Sequence, residues 1–188
     1  MSGDSQMQKK ASQDGGAAIA ANDGAENLES DAVQILSFTV DGAEYGVDIM
    51  CVREIKGWSE TTRIPNSPDA MRGVINLRGI VIPIFDMRIR FGREATETTD
   101  KHVVVIIQVG KRTVGLLVDK VSDILTVCDS EIKNAPGNGE SEIDDAYVRG
   151  LISLDDKMVV LLDIEYLFDR KVLEKASDKA EEQVVESE

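Results

Sequence analysis

One histidine, one tryptophan, two cysteines and four prolines are all that the 188 residues contain of those types. No uninterrupted apolar stretch approaches the twenty or so residues of a membrane span. Each scarcity excludes something. His102 stands in a polar link beside a strand with no nucleophile close by in sequence, which leaves acid–base or triad chemistry without a centre. Cys51 and Cys128 are far apart and belong to no ligand or redox motif, so free thiols in a reducing compartment are expected. Ala17 to Ala21 is too short for the apolar region of a signal peptide, and a soluble, cytoplasmic protein without direct membrane insertion is expected. Gly15-Gly16 precedes no helix and cradles no phosphate. Asp119, Asp123, Asp144, Asp145, Asp155 and Asp156 match no calcium-loop spacing, since turns collect aspartates for backbone reasons. No enzyme, cofactor or metal is expected.

Basic charge is also scarce. The formal net charge is −14 and the calculated isoelectric point about 4.5. Residues 1–32 account for −4 of this and residues 171–188 for −3, leaving −7 on the central segment. A nucleic-acid partner is disfavoured, because binding one calls for a basic face. Residues 1–32 are rich in Ser, Gln, Asp, Gly and Ala and are expected to form a disordered tail. From residue 170 onward the apolar residues are too sparse for a core face, and a helical or disordered tail is expected there.

What the chain does contain is a repeat. Gly73 to Phe91 aligns without a gap on Gly150 to Phe168, matching Gly73 with Gly150, Leu77 with Leu154, Asp86 with Asp163 and Phe91 with Phe168. Ile35 to Ile55 likewise resembles Val103 to Ile124, with Gly46 on Gly115 and Val52 on Val121, once a residue is inserted in the turn. The order A, B, A′, B′ implies two copies of one β unit. Within each unit, short β-branched runs separated by Asp41-Gly42, Arg78-Gly79 or Gly110-Lys111-Arg112 read as hairpins. Asp48 to Ile55 suits a helical turn as well as a strand. Pro68 to Met71 suits a short helix capped by Ser67. Pro83 points to an edge strand or a bulge. Ser130 to Asp145, with Pro136, Gly137 and Gly139, reads as a loop, and Ile164, Leu167 and Phe168 fit one or two helical turns.

The copies diverge in an informative place. Arg78-Gly79 in the first faces Asp155-Asp156 in the second. Residues required only for folding tend to recur in both copies, whereas residues serving a partner need not, so the Arg-Gly turn is the leading functional candidate. Val52 and Glu54 are either contacts or, respectively, core and solvated acid. Trp58 is either an interface anchor or packed core. Arg88, Arg90 and Arg93 around Phe91 form a basic patch expected to be solvated or ion-paired.

The ordered series Y-G-V-D-I (Tyr45 to Ile49), V-R-E-I (Val52 to Ile55), R-I-P-N-S-P (Arg63 to Pro68), R-G-V-I-N-L-R-G (Arg72 to Gly79), V-I-P-I-F-D-M-R (Val81 to Arg88) and V-G-L-L-V-D-K-V-S-D-I (Val114 to Ile124) resembles CheW, the bacterial chemotaxis adaptor family, over residues 33–169. The resemblance implies an all-β fold of two five-stranded SH3-like β-barrels packed on a shared hydrophobic seam, with short helical turns. It also implies a non-catalytic adaptor that couples the cytoplasmic tips of methyl-accepting chemotaxis receptors to the regulatory domain of the CheA histidine kinase. Rings with other CheW-like domains, and recruitment to receptor arrays at the inner membrane, follow from the same likeness. A CheW-like scaffold of a non-motility chemosensory pathway is the alternative. The receptor-contact region of the family falls on Val52, Glu54, Gly73, Arg78 and Gly79, and the kinase side on Val103 and Val121.

Overall fold

The computed structural model describes residues 32–134, 147–154 and 157–168. The turn Asp155-Asp156 and both tails lie outside the described residues. The elements run β1 (Ala32–Val40), β2 (Ala43–Asp48), a 3₁₀ turn (Ile49–Cys51), β3 (Val52–Gly57), β4 (Met71–Leu77), β5 (Ile80–Asp86), α1 (Met87–Arg90), β6 (Val103–Val109), β7 (Arg112–Val118), β8 (Lys120–Cys128), a 3₁₀ turn (Asp129–Glu131), β9 (Ile132–Lys133), β10 (Val148–Leu154), β11 (Lys157–Leu162) and α2 (Ile164–Leu167).

The strands form two sheets, ordered β8-β1-β2-β11-β10-β9 and β3-β6-β7-β5-β4. One sheet has the expected five strands. The other has six, because the stretch expected to be a loop from Ser130 begins with a 3₁₀ turn and the two-residue β9. Mapped onto the repeat, β3, β6, β7, β5 and β4 stand where β8, β1, β2, β11 and β10 stand. Each sheet therefore takes two strands of one A unit, the third strand of the other A unit, and both strands of one B unit. The copies are interlaced.

The irregularities recur with the strands. The β3–β6 register shifts between Val52 and Glu54, and the β1–β8 register shifts opposite Val121 and Asp123. The β4–β5 register shifts between Met71 and Gly73, and the β10–β11 register between Val148 and Gly150. Such bulges bend a strand and re-aim its side chains. Gly73 sits at its bulge with φ 142°, and a Cβ there would run into the Thr62 carbonyl. Thr62 and Val74 exchange backbone hydrogen bonds of 2.8 and 2.9 Å, which is why that carbonyl lies so near.

Three apolar clusters follow from the alternation of side chains along the strands. Ile75, Ile82, Ile84, Val104, Ile106 and Leu117 gather on one face of the five-stranded sheet. Ile35, Val127, Ile152, Val159 and Leu161 do the same in the six-stranded sheet. The third and largest cluster draws Phe38, Tyr45 and Val47 from one sheet and Phe85, Val105, Ile107 and Leu116 from the other, closed by Leu167 and Phe168. β6 sends Val104 and Ile106 to a sheet interior and Val105 and Ile107 to this shared seam, which is why its run carries no polar alternation.

Two local expectations are corrected and one left open is resolved. Ser67 caps no helix: Ser67 and Pro68 are irregular and Asp69-Ala70 form a turn, with Met71 N–H bonded to the Pro68 carbonyl at 2.8 Å. Pro83 lies neither on an edge strand nor at a bulge. It sits in the interior strand β5 one residue before the parallel ladder to β7 begins at Ile84, where its missing N–H is not required. The ambiguous Asp48 to Ile55 is both things in succession, a 3₁₀ turn and then a strand.

Candidate functional site

The β4–β5 connection is a two-residue turn in which both central residues take positive φ, Arg78 at 55° and Gly79 at 87°. That is the twist favoured between right-handed strands, and it asks a non-glycine residue to bear left-handed strain. Asn76 offsets this by accepting the Gly79 N–H on Oδ1 at 2.8 Å. The turn lifts the Arg78 side chain into solvent, 79% exposed, where its Nη2 meets Glu54 Oε2 at 3.0 Å. Glu54 lies on β3 and Arg78 beside β4, at opposite ends of the strand order, so the ion pair shows the five-stranded sheet curling back on itself. An exposed pair of this kind contributes roughly 0–1 kcal/mol. Its consequence is orientation rather than stability.

Sequence reasoning overlooked the exposed apolar residues next to the pair along β3 and β5. Ile55, Ile80 and Val81 are exposed by 46%, 60% and 36%. Ile124 and Met158, the repeat partners of Ile55 and Val81, are exposed as well. The alignment carried that signal, since apolar side chains occupy both members of each pair. Of the other candidates, Val52 is half-buried at the start of β3 against the seam, and Gly73 is buried at its bulge. Glu54, Arg78 and Gly79 come together through the ion pair across the ends of the five-stranded sheet, while Val52 stands two residues earlier on β3. Val103 and Val121 are both half-buried against the seam, but on β6 and β8, in different sheets. Trp58 packs half-buried against the five-stranded sheet's own cluster.

Within the arginine patch Arg88 and Arg93 are ion-paired. Arg88 holds Asp119 through Nε and Nη2 at 2.9–3.1 Å, and those bonds raise its pKa above the ordinary guanidinium range despite desolvation. Arg90 donates to the Leu167 carbonyl at 2.6 and 3.2 Å and lies 4.7 Å over the Tyr147 ring. Arg93 approaches Asp41 at 3.9 Å. His102 Nδ1 accepts the Thr99 backbone N–H at 3.0 Å, a role in closing the turn before β6.

Between the sheets lies an open cavity of about 530 Å³, lined by Met50, Cys51, Arg53, Arg149, Leu162 and Ile164 among others. Met50 is 82% exposed at its rim. Cys51 Sγ donates to the Asp48 carbonyl at 2.8 Å. Burial, and then the Asp48 charge, push its thiol up to about 11. A reactive thiolate is therefore suppressed at neutral pH. Cys51 and Arg53 flank Val52, so the cavity opens directly onto the start of β3.

A family profile described as the CheW-like domain matches residues 34–172. The "Probable chemotaxis protein CheW" of Rhizobium etli is 43% identical over 143 residues, covering 76% of this chain and 92% of that protein. The chemotaxis protein CheW of Rhizobium meliloti is 41% identical over 152 residues, covering 81% and 97%. The crystal structure of the scaffolding protein TtCheW from Thermoanaerobacter tengcongensis superposes with a TM-score of 0.68 at 31% identity, covering 74% of this chain and 90% of that one.

Proposed function

The chain belongs to the CheW-like domain family of non-catalytic chemotaxis adaptors and scaffolds, and on that premise we propose that it joins chemoreceptor cytoplasmic tips to the CheA histidine kinase. The observation that carries the receptor side is the oriented Arg78 guanidinium, held by Glu54, with exposed Ile55 next to Glu54 on β3 and exposed Ile80 and Val81 directly after the Arg78-Gly79 turn. A receptor helix laid along β3 would place an apolar stripe on these residues and in the neighbouring cavity at Met50, Cys51 and Arg53, a helix-in-groove arrangement. Arg78 then supplies one directed charge-assisted hydrogen bond. Val52, Glu54, Gly73, Arg78 and Gly79 form the receptor side, Gly73 acting through the strand it bends. Val103 and Val121 are assigned to the kinase side, reached from two sheets. Contacts with further CheW-like domains extend the complex into an array, and membrane recruitment runs through the receptors.

Capture of a receptor cytoplasmic fragment and of the kinase regulatory domain, singly and together, tests this. The intact chain is expected to retain both and to support receptor-dependent kinase activation. Arg78→Glu is expected to lower receptor capture roughly tenfold, the scale of one lost charge-assisted contact, while kinase capture persists. Unchanged receptor capture by that variant removes Arg78 from the site, and failure to retain either partner rejects the adaptor reading.

A further inference from the structure

The interlaced repeat gives the molecule two equivalent junctions between its sheets, each built from a hairpin turn, a strand-to-strand crossing and a short helix. They are not alike. At the first, Asp119 lies at the crossing from β7 to β8 and is gripped by Arg88 from α1 in a bidentate fork at 2.9–3.1 Å. The same carboxylate accepts the Asp41 backbone N–H at 2.8 Å from the β1–β2 turn. Arg88 Nη1 also reaches the Asp41 carboxylate at 3.6 Å, and the Asp119 N–H donates to the Thr39 carbonyl at 3.0 Å. One guanidinium and one carboxylate thus tie the β1–β2 hairpin of the six-stranded sheet to α1 and β7 of the five-stranded sheet. His102 Nε2, 3.9 Å from Asp119, and Arg93 beside Asp41 complete the charged surroundings.

At the second junction the repeat places Met50 where Asp119 stands and Glu165 where Arg88 stands. A thioether and a carboxylate cannot form that fork. Met50 points into solvent, and the space is the cavity of about 530 Å³ that Glu165 also lines. We infer that Arg88 and Asp119 are positioning residues: they pin the sheets together at one junction and thereby set the width of the open cavity at the other. The physical route is the shared seam, whose close-packed side chains transmit a change of sheet angle rather than absorbing it. The pair is only partly exposed, 29% and 20%, so its bonds are less screened than those of a surface pair. The inference bears on the receptor site proposed above by fixing how well a helix fits it. The test uses no receptor, so its failure and failure of the adaptor reading are separate events.

Cys51 reports on the open junction from its wall. In a Cys128→Ser background it is the sole thiol, and its rate of exchange with an aromatic disulfide reagent measures cavity opening. Asp119→Asn is expected to raise that rate about tenfold, the factor given by losing one charge-assisted hydrogen bond from an opening equilibrium. Arg88→Lys, which keeps the charge but loses the fork, should give a smaller rise. Molar salt should speed the reaction more with Asp119 present than in Asp119→Asn, where only the screening of Asp48 acts on the thiol. If Asp119→Asn fails to fold, Arg88→Lys and the salt response of the intact chain decide the matter. Cys51 reactivity indifferent to these changes, with faster hydrogen exchange confined to the β1–β2 turn and α1, would show a merely local clamp and overturn the inference.

Discussion

Two glycines of the B unit show how differently one residue type can be required. Gly73 combines φ 142° with a Thr62 carbonyl that leaves no room for a Cβ, whereas Gly79, at φ 87°, has open space around it. Gly73→Ala is expected to cost about 2–3 kcal/mol, the scale of a residue held in a glycine-only conformation. Gly79→Ala should cost about 1–2 kcal/mol for left-handed strain alone. Urea unfolding of both variants checks the ordering, and equal losses would contradict it. Cys51 makes a second residue-scale prediction. Its folded-state thiol lies at about 11 against an ordinary 9.0, so the folded state disfavours the thiolate. That contribution is complete below pH 9 and is lost as pH climbs from 9 towards 11. Solvent screening at this partly buried site holds it to about 1–2 kcal/mol. Cys51→Ser should flatten the fall in stability over that window, and parallel pH profiles for the two proteins would refute the assignment.

At the scale of elements, the two short helices begin on equivalent aspartates that carry unequal burdens. Asp163 caps α2 by accepting the Glu165 and Tyr166 N–H groups. Asp86 caps α1 through the Arg88 N–H at 3.0 Å, and also accepts the Thr96 N–H and hydroxyl at 2.8 and 2.7 Å. Arg72 stands 3.6 Å away, and the carboxylate is fully buried. Asp86 is therefore the anchor that draws the polar link before β6 back onto the five-stranded sheet. Asp86→Ala is expected to cost about 3–5 kcal/mol, because it strands buried donors and leaves Arg72 without its acid. Asp163→Ala should cost about 1 kcal/mol, as for an ordinary cap. Thermal melts of the pair measure the difference.

For the molecule as a whole, interlacing has a direct consequence. The first half of the chain supplies β1 and β2 to the six-stranded sheet, and the second half supplies β6 and β7 to the five-stranded one. Neither half encloses a core by itself. Residues 32–99 expressed alone are expected to lack dispersed amide signals, and so are residues 100–168. Mixing the two should restore a folded complex with β1 paired to β8. A folded isolated half would contradict the exchange.

The duplication, the hairpins, the helical turn at Ile164 and the prominence of Arg78 were all legible in the linear chain. They depend on neighbours a few residues apart or on a repeat that alignment exposes. The polar link to Thr96, the unequal roles of Asp86 and Asp163, and the sheet membership of Val103 and Val121 were not. The contacts of Asp86 depend on how the polar link folds back over ten residues, and sheet membership depends on which strand crosses to the other sheet; both copies carry nearly the same pattern of apolar residues, so periodicity cannot distinguish a strand that stays from one that is exchanged. The same limit hid the pairing of Arg88 with Asp119, which are 31 residues apart. It also hid the open cavity opposite them in the repeat. Only packing around the shared seam decides which charges meet and which junction stays open.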